Sequence, residues 1–310
     1  MQIRKIKMRI QVISDKMLTI VPKPADRTPD CMMAAEVAVA EKPPKEKWGG
    51  TCVRGSNGRN HARLWCLLLI VALLGLTGQA QAARREGWFS KNGRTYYYED
   101  GSRLKGWQEI DGKTYRFTAN GVLMTNRITR TKSGQYVYLD QSGAQSEDSV
   151  IQLAVNFVVK HTQTSWSSRR KLNACYNYLV WNMTYRHVSL PYKISNFPVM
   201  ARSLFSLMTG DCHSSAIALT YIARVLGYDC RVVYGKVSSR GKVARSVHGW
   251  SEICVDGEYL MYDVTMQRAH RDATLHAIPR EDYPYALKAI AVYDLTAEKG
   301  KVKWKKADKV

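Results

Sequence analysis

The residue types needed for nucleophilic acyl transfer are present as Cys212, His248 and Asp263. In that chemistry an imidazole takes the thiol proton, the thiolate attacks a carbonyl, and a carboxylate fixes the imidazole tautomer. Cys212 lies in Gly210-Asp211-Cys212-His213-Ser214-Ser215, which runs into an apolar stretch from Ala216 to Leu226 and stops at Gly227. Asp211 is a favoured N-cap and Gly227 a natural C′ residue, so the spacing predicts a helix with Cys212 in its first turn. A helix that is apolar almost all round is a buried one. Free N–H groups and the positive end of the dipole at its start favour a thiolate. The plain alternative is a small buried cysteine capping a core helix.

The elements that must bring His248 and Asp263 together follow from one turn. Val247 to Val255 and Glu258 to Thr265 read as strands joined by Asp256-Gly257, a strong hairpin signal. With those two residues in the turn, Val255 faces Glu258, Trp250 faces Asp263 and His248 faces Thr265. His248, Trp250 and Asp263 then share a face. A diagonal of about 7 Å at the backbone lets Asp263 hold the imidazole. Trp250 is expected to line the cleft over this pair, excluding water, and could equally be plain core. His213 adjoins Cys212, but successive helix positions point about 100° apart, so it is expected to be a wall or exposed residue. Ser214 and Ser215 lack the G-x-S-x-G elbow of a serine hydrolase.

Gly-Asp-Cys-His-Ser-Ser-Ala, Leu226-Gly227 leading to a strand that ends at Gly235, His248-Gly249-Trp250 and Tyr262-Asp263-Val264-Thr265 occur in that order. Together they resemble the transglutaminase-like superfamily over roughly Glu147 to Arg268. The resemblance implies an α+β fold with a papain-like core: helices packed on an antiparallel sheet, and the nucleophile at a helix N-terminus. It implies Cys212 as nucleophile, His248 as general base and Asp263 as orienter, with Tyr185 where such proteins carry an aromatic near the cleft. The superfamily includes cross-linking enzymes, peptidases and catalytically dead relatives, so acyl transfer, peptide hydrolysis and binding alone are all compatible with it. This chemistry requires no cofactor, and the sequence has no zinc-ligand spacing, phosphate loop or calcium-type carboxylate cluster. Upstream, Asp148 to Gln163 and Ser167 to Trp181 carry apolar residues at helical spacing. Pro191 to Phe197 reads as an irregular loop and Ala201 to Met208 as a short helix.

Ahead of these helices the chain repeats itself. Gly87-Trp88 recurs as Gly106-Trp107, Asn92 to Tyr98 recurs as Asp111 to Phe117, and Asp100-Gly101 recurs as Asn120-Gly121. A degraded third copy runs from Ser133 to Gly143. Each unit reads as a β-hairpin too small to bury a core alone. The units resemble the choline-binding and glucan-binding cell-wall repeats of Gram-positive surface proteins. Thr95 and Thr114 replace the Trp of the choline-binding form, which favours the glucan-binding variant. Trp88, Tyr96, Tyr98, Trp107, Tyr115 and Phe117 are candidate glycan or wall contacts, and equally candidates for the core of the hairpin stack.

Arg59 to Ala82 has the layout of a secretory signal peptide. Arg59, His61 and Arg63 precede an apolar run from Leu64 to Leu76, and Ala80-Gln81-Ala82 offers the cleavage site. The run is short for a membrane span, which needs about 20 residues, so a cleaved signal is expected, with an uncleaved signal anchor as the alternative. Residues 1–58 are basic, contain several prolines and show little periodicity. They are expected to be disordered, or to lie upstream of a true start near Val53. The expected organisation is therefore an extension at 1–58, a signal peptide at 59–82, hairpin repeats at 83–146 and a transglutaminase-like domain at 147–310.

Forty-seven Lys and Arg against 26 Asp and Glu give a net charge of +21. Such a balance points to an acidic partner. Scattered charges and the export signal favour cell-wall polysaccharide or teichoic acid, bound through the repeats, over nucleic acid. The other expected partner is a protein or peptide acyl donor, with membrane contact confined to the signal peptide. The expected location is secreted, at the cell wall or cell surface. Lys299, Lys301, Lys303, Lys305, Lys306 and Lys309 read as a solvated terminal strand or tail.

Overall fold

The computed structural model describes residues 84–307. The expected extension at 1–58 and signal peptide at 59–82 lie outside the described residues. Among those described, no helix is long and apolar enough to cross a membrane.

Asn-Gly and Asp-Gly turns organise the first part. Strands β1 (Gly87–Lys91) and β2 (Arg94–Glu99) pair around Asn92-Gly93, with β3 (Ser102–Arg103) on the far side of β2. Strands β4 (Gly106–Ile110) and β5 (Lys113–Phe117) repeat the hairpin around Asp111-Gly112, and β6 (Arg127–Arg130) and β7 (Tyr136–Leu139) form the third. Backbone bonds link the units in series: Leu123 N–H to the Thr95 carbonyl and Gln145 N–H to the Thr114 carbonyl, both 2.8 Å. Trp88 lies opposite Tyr97 and Trp107 opposite Arg116. Strand alternation therefore turns Tyr96, Tyr98, Tyr115 and Phe117 to the other face, where all four are buried.

The third hairpin is built into the helical core. Tyr138 and Leu139 are completely buried, and Tyr138 belongs to the same apolar cluster as the central helix. The Tyr138 hydroxyl donates to Asn126 Oδ1 (2.6 Å), and Asn126 Nδ2 donates to the Gly227 carbonyl (3.1 Å). Composition changes at Glu147, but the packing does not break there.

Four helices follow: α1 (Ser149–His161), α2 (Ser168–Asn182), α3 (Phe197–Leu207) and α4 (Cys212–Val225). Asp148, Ser167 and Asp211 cap α1, α2 and α4 through side-chain oxygens that accept from first-turn N–H groups. Every residue of α4 except His213 is buried. The helices pack on a six-stranded antiparallel sheet. Its strands are β10 (Cys230–Ser238), β11 (Ser246–Val255), β12 (Glu258–Tyr262), β13 (His276–Ile278), β14 (Ala286–Glu298) and β15 (Lys301–Lys306), in the spatial order β13-β12-β11-β10-β14-β15. This is the papain-like α+β arrangement. The lysine-rich tail forms edge strand β15, whose Val302 and Trp304 pack inward while the Trp304 indole donates to the Tyr221 hydroxyl (3.1 Å).

The hairpin register follows the turn: Val255 pairs with Glu258 and Ser251 with Tyr262. Beyond Tyr262 the expectation fails. The strand ends, Asp263 becomes the N-cap of α5 (Val264–Ala269), and Thr265 is helical rather than opposite His248. The Asp263 carboxylate accepts the Met266 N–H (3.0 Å), and that cap turns the chain out of the sheet.

Candidate active site

Each member of the Cys-His-Asp set is delivered by a different element. Cys212 is the first residue of α4, so the helix itself leaves its N–H without an acceptor. His248 stands on β11 and Asp263 at the start of α5. All three are buried. His248 Nε2 donates to Asp263 Oδ2 at 2.7 Å, which leaves Nδ1 for the thiol side. The Tyr283 hydroxyl donates to the same carboxylate oxygen (2.8 Å), and the Tyr176 hydroxyl to the Asp263 backbone carbonyl (3.0 Å). Sequence reasoning missed both tyrosines. Tyr176 was legible only as a helix-face residue, and Tyr283 lies in a loop with no periodic signal.

Burial opposes charge on His248, but the Asp263 carboxylate outweighs it and pushes the imidazole up to about 10. Burial also opposes the Cys212 thiolate. Hydrogen bonds from His213 and His248 prevail and pull the thiol down to about 6. The arrangement favours a thiolate–imidazolium pair.

His213 corrects the helical-angle argument. Its Nδ1 lies 3.9 Å from Cys212 Sγ and 4.0 Å from Asp211 Oδ2. Two side chains at the open end of a helix can both turn up over it, whatever their angular separation lower down. The ring is stacked on Tyr234 and lies 4.5 Å from the Tyr192 ring. Gly249 makes room for it: a Cβ there would come within 2.7 Å of His213 Cδ2.

For Trp250 the core reading holds and the cleft-lining one is corrected. It is fully buried behind His248, with ring centroids 6.2 Å apart, and its indole donates to Glu252 (3.0 Å). Positions 248 and 250 share a face, but 250 lies one pleat deeper, so Trp250 backs the imidazole rather than lining the cleft. Gly235 on β10 admits the indole, since a Cβ there would meet the Trp250 ring and the Lys288 carbonyl.

Tyr185 does line the cleft and is 55% exposed. The parallel pair β8 (Thr184–Tyr185) and β9 (Thr209–Gly210) sets it opposite Gly210, on the same cleft wall as Cys212, and burial and the neighbouring thiol push its hydroxyl up to about 12. The cleft encloses about 650 Å³, with Cys212 and His248 in its wall beside Val237, Val247 and Met266. In the repeats, Trp88 is 43% exposed and its ring packs 5.0 Å from Tyr115, and Trp107 is half-buried. Of the six aromatic candidates, only these two tryptophans keep substantial exposed surface, because each hairpin turns one face to the stack.

The profile of the transglutaminase-like superfamily core matches residues 152–264, a span that contains Cys212, His248 and Asp263. Residues 152–264 form a transglutaminase-like domain. Among solved structures, the chain is similar to a choline-binding domain from Streptococcus pneumoniae, with 32% identity over 21% of this chain and 77% of that one, at a TM-score of 0.20. It is similar to a candidate cysteine protease from Cytophaga hutchinsonii, with 15% identity over 52% and 53%, at a TM-score of 0.31. It is also similar to the arylamine N-acetyltransferase from Mycobacterium abscessus, with 16% identity over 50% and 56%, at a TM-score of 0.29. The chain thus spans about half the length of the latter two. No curated protein sequence matches it.

Proposed function

We propose that this protein is a secreted, surface-associated cysteine enzyme that acts on amide bonds of protein or peptide substrates through a thioester. The carrying observation is the 2.7 Å His248–Asp263 bond beside a cysteine at a helix N-terminus. The Cys212 thiolate attacks the amide carbonyl, forming a C–S bond and an oxyanion. The Cys212 N–H and the Tyr185 hydroxyl are donors at hand for that oxyanion. The His248 imidazolium gives its proton to the departing amine as the C–N bond breaks. An incoming amine or water then loses a proton to His248 and releases the acyl group, completing transfer or hydrolysis. The repeats attach the enzyme to wall polysaccharide or teichoic acid, with the Trp88 and Trp107 faces as contacts, and the segment at 59–82 exports it.

The test is the rate of Cys212 alkylation by iodoacetamide against pH, in wild type and His248→Ala. Fast reaction of the wild type at pH 6, lost in the variant, is the expected result, because an ordinary thiol titrates near 8.5. If both proteins behave as ordinary thiols, the catalytic reading fails and a non-catalytic, wall- or glycan-binding papain-like domain takes its place.

Asp263→Asn is the sharper variant. The carboxylate serves His248 and Tyr283 through Oδ2 and Met266 through Oδ1. An amide supplies one acceptor oxygen and cannot hold the required imidazole tautomer. Amide turnover is expected to fall by roughly 10⁴-fold, the scale seen when a triad carboxylate becomes an amide. A loss below tenfold in kcat would remove Asp263 from the role of orienter.

A further inference from the structure

The charge of the cleft differs from that of the sheet beneath it. Four arginines of the domain are matched by carboxylates: Arg231 and Arg280 both bond Glu252, Arg224 bonds Asp229, and Arg169 bonds Asp256, whereas Arg170 and Arg271 lie over tryptophan rings and Arg202 bonds a serine hydroxyl. Two arginines line the cleft that holds Cys212, namely Arg240 in the β10–β11 connection and Arg268 on α5. Neither forms an ion pair among the described residues, and no Asp or Glu lines the cleft. Arg268 spends one nitrogen, Nη1, on the Val180 carbonyl (3.0 Å), which anchors the guanidinium at the wall. Hydroxyls of Ser238, Ser239, Ser246 and Thr265 complete a lining rich in donors. Arg186, adjacent to Tyr185, and Lys242 and Arg245, in the same connection as Arg240, are exposed and add charge of the same sign.

Unmatched guanidiniums in a concave, partly apolar site attract anions more strongly than the same charges spread over open surface, because the low-dielectric walls focus the field. A guanidinium also presents paired donors that fit a carboxylate in a bidentate manner. We propose that the cleft selects acyl donors that carry a carboxylate close to the scissile amide, such as acidic peptides, with Arg268 and Arg240 as the groups that hold it. This rests on Cys212 being the reacting thiol. Basic or neutral acyl donors leave the guanidiniums uncompensated and bind less well.

The experiment compares alkylation of Cys212 by iodoacetate and by iodoacetamide, two reagents with one leaving group and one reaction that differ in charge. Each rate is divided by that of 2-mercaptoethanol under the same conditions. The iodoacetate:iodoacetamide ratio is expected to exceed that of the free thiol by about tenfold at low salt and to fall as salt is added. His248 contributes to that preference as a cation, so the arginine variants isolate the subsite. Arg268→Gln and Arg240→Gln are each expected to lower the ratio, and the pair of substitutions to lower it further. Arg127→Gln, on the third hairpin, removes the same charge far from the cleft lining and should leave it unchanged. Arg240 lies on an exposed loop, so its variant remains informative even where Arg268→Gln disturbs the anchor on Val180. A ratio equal to that of the free thiol, or one unmoved by both cleft substitutions, overturns the anionic subsite. Failure of the catalytic reading looks different: both reagents then react slowly at pH 6 whatever their ratio.

Discussion

Amide turnover by Cys212→Ala is expected to fall by about 10⁴-fold or more, since loss of a covalent nucleophile removes the reaction path itself. The fold is expected to survive, because alanine suits the first turn of α4 and the Asp211 cap does not use the thiol. A thermal midpoint within a few degrees of wild type, together with lost turnover, is the predicted pair of results. Unchanged turnover would assign the nucleophile elsewhere.

The same site sets the pH dependence. The thiol is deprotonated above about 6, and the His248 imidazole keeps its proton up to about 10. The ion pair therefore fills the window between the two, and activity should rise through the lower limit, hold, and fall through the upper one. In the absence of their partners the order reverses, with imidazole near 6.5 and thiol near 8.5, and no pH carries both charges in quantity. His213→Phe keeps a ring between Tyr192 and Tyr234 but removes the second donor to sulfur. It is expected to move the acid limb to higher pH while the alkaline limb stays with His248. An acid limb that does not move would reduce His213 to packing.

How much of this was legible in the chain depends on which physical rule governs each residue. The helix that carries Cys212 was legible because caps act locally: Asp211 and Gly227 bound it whatever packs around it. The His248–Asp263 meeting was legible because a two-residue turn fixes the register of everything beyond it. That rule holds only while the strand lasts. Asp263 is itself a good N-cap, and Val264 to Ala269 took the helix that a capping aspartate permits. The pair nonetheless forms, with Asp263 reaching His248 from a helix cap rather than from a paired strand position. His213 was misjudged, and Trp250 was left between cleft and core, because position along an element fixes direction, whereas depth and side-chain reach depend on the neighbouring elements. Tyr192, Tyr234 and Gly249 decide where His213 lies, and Gly235 decides that Trp250 can sink behind His248. The repeat aromatics follow the same logic: alternation marks two faces, and the stack chooses which is covered.

A chain beginning at Glu147 is expected not to fold, although composition and the superfamily match both suggest that such a chain would suffice. Removing the third hairpin withdraws Tyr138 and Leu139 from the core, at about 1.5–3 kcal/mol for each fully buried side chain. It also removes the Asn126 contact to Gly227 at the end of α4 and the Tyr136 carbonyl that accepts from Gln152 on α1. The β14–β15 turn loses its seat as well, since Gly300 N–H donates to Asp140 Oδ2 (2.6 Å) and Lys299 N–H to the Ser142 hydroxyl (2.9 Å). Arg224, almost wholly buried beside Tyr138, would become open to water on that side, with the apolar cluster around it. Against a typical total stability of about 5–15 kcal/mol, these losses are decisive. A chain beginning at Thr125 keeps every one of these contacts and is expected to melt cooperatively, with Cys175 and Cys230 protected from thiol reagents. The first two hairpins meet the third mainly through their own small cluster of Ile110, Tyr115, Phe117 and Ala144, so their removal should cost far less. Circular dichroism melts and thiol-labelling rates of the two truncations decide the matter. A cooperative melt of the 147–310 chain near the wild-type midpoint would make the hairpin an appendage, whereas the predicted contrast makes it the first element of the catalytic fold.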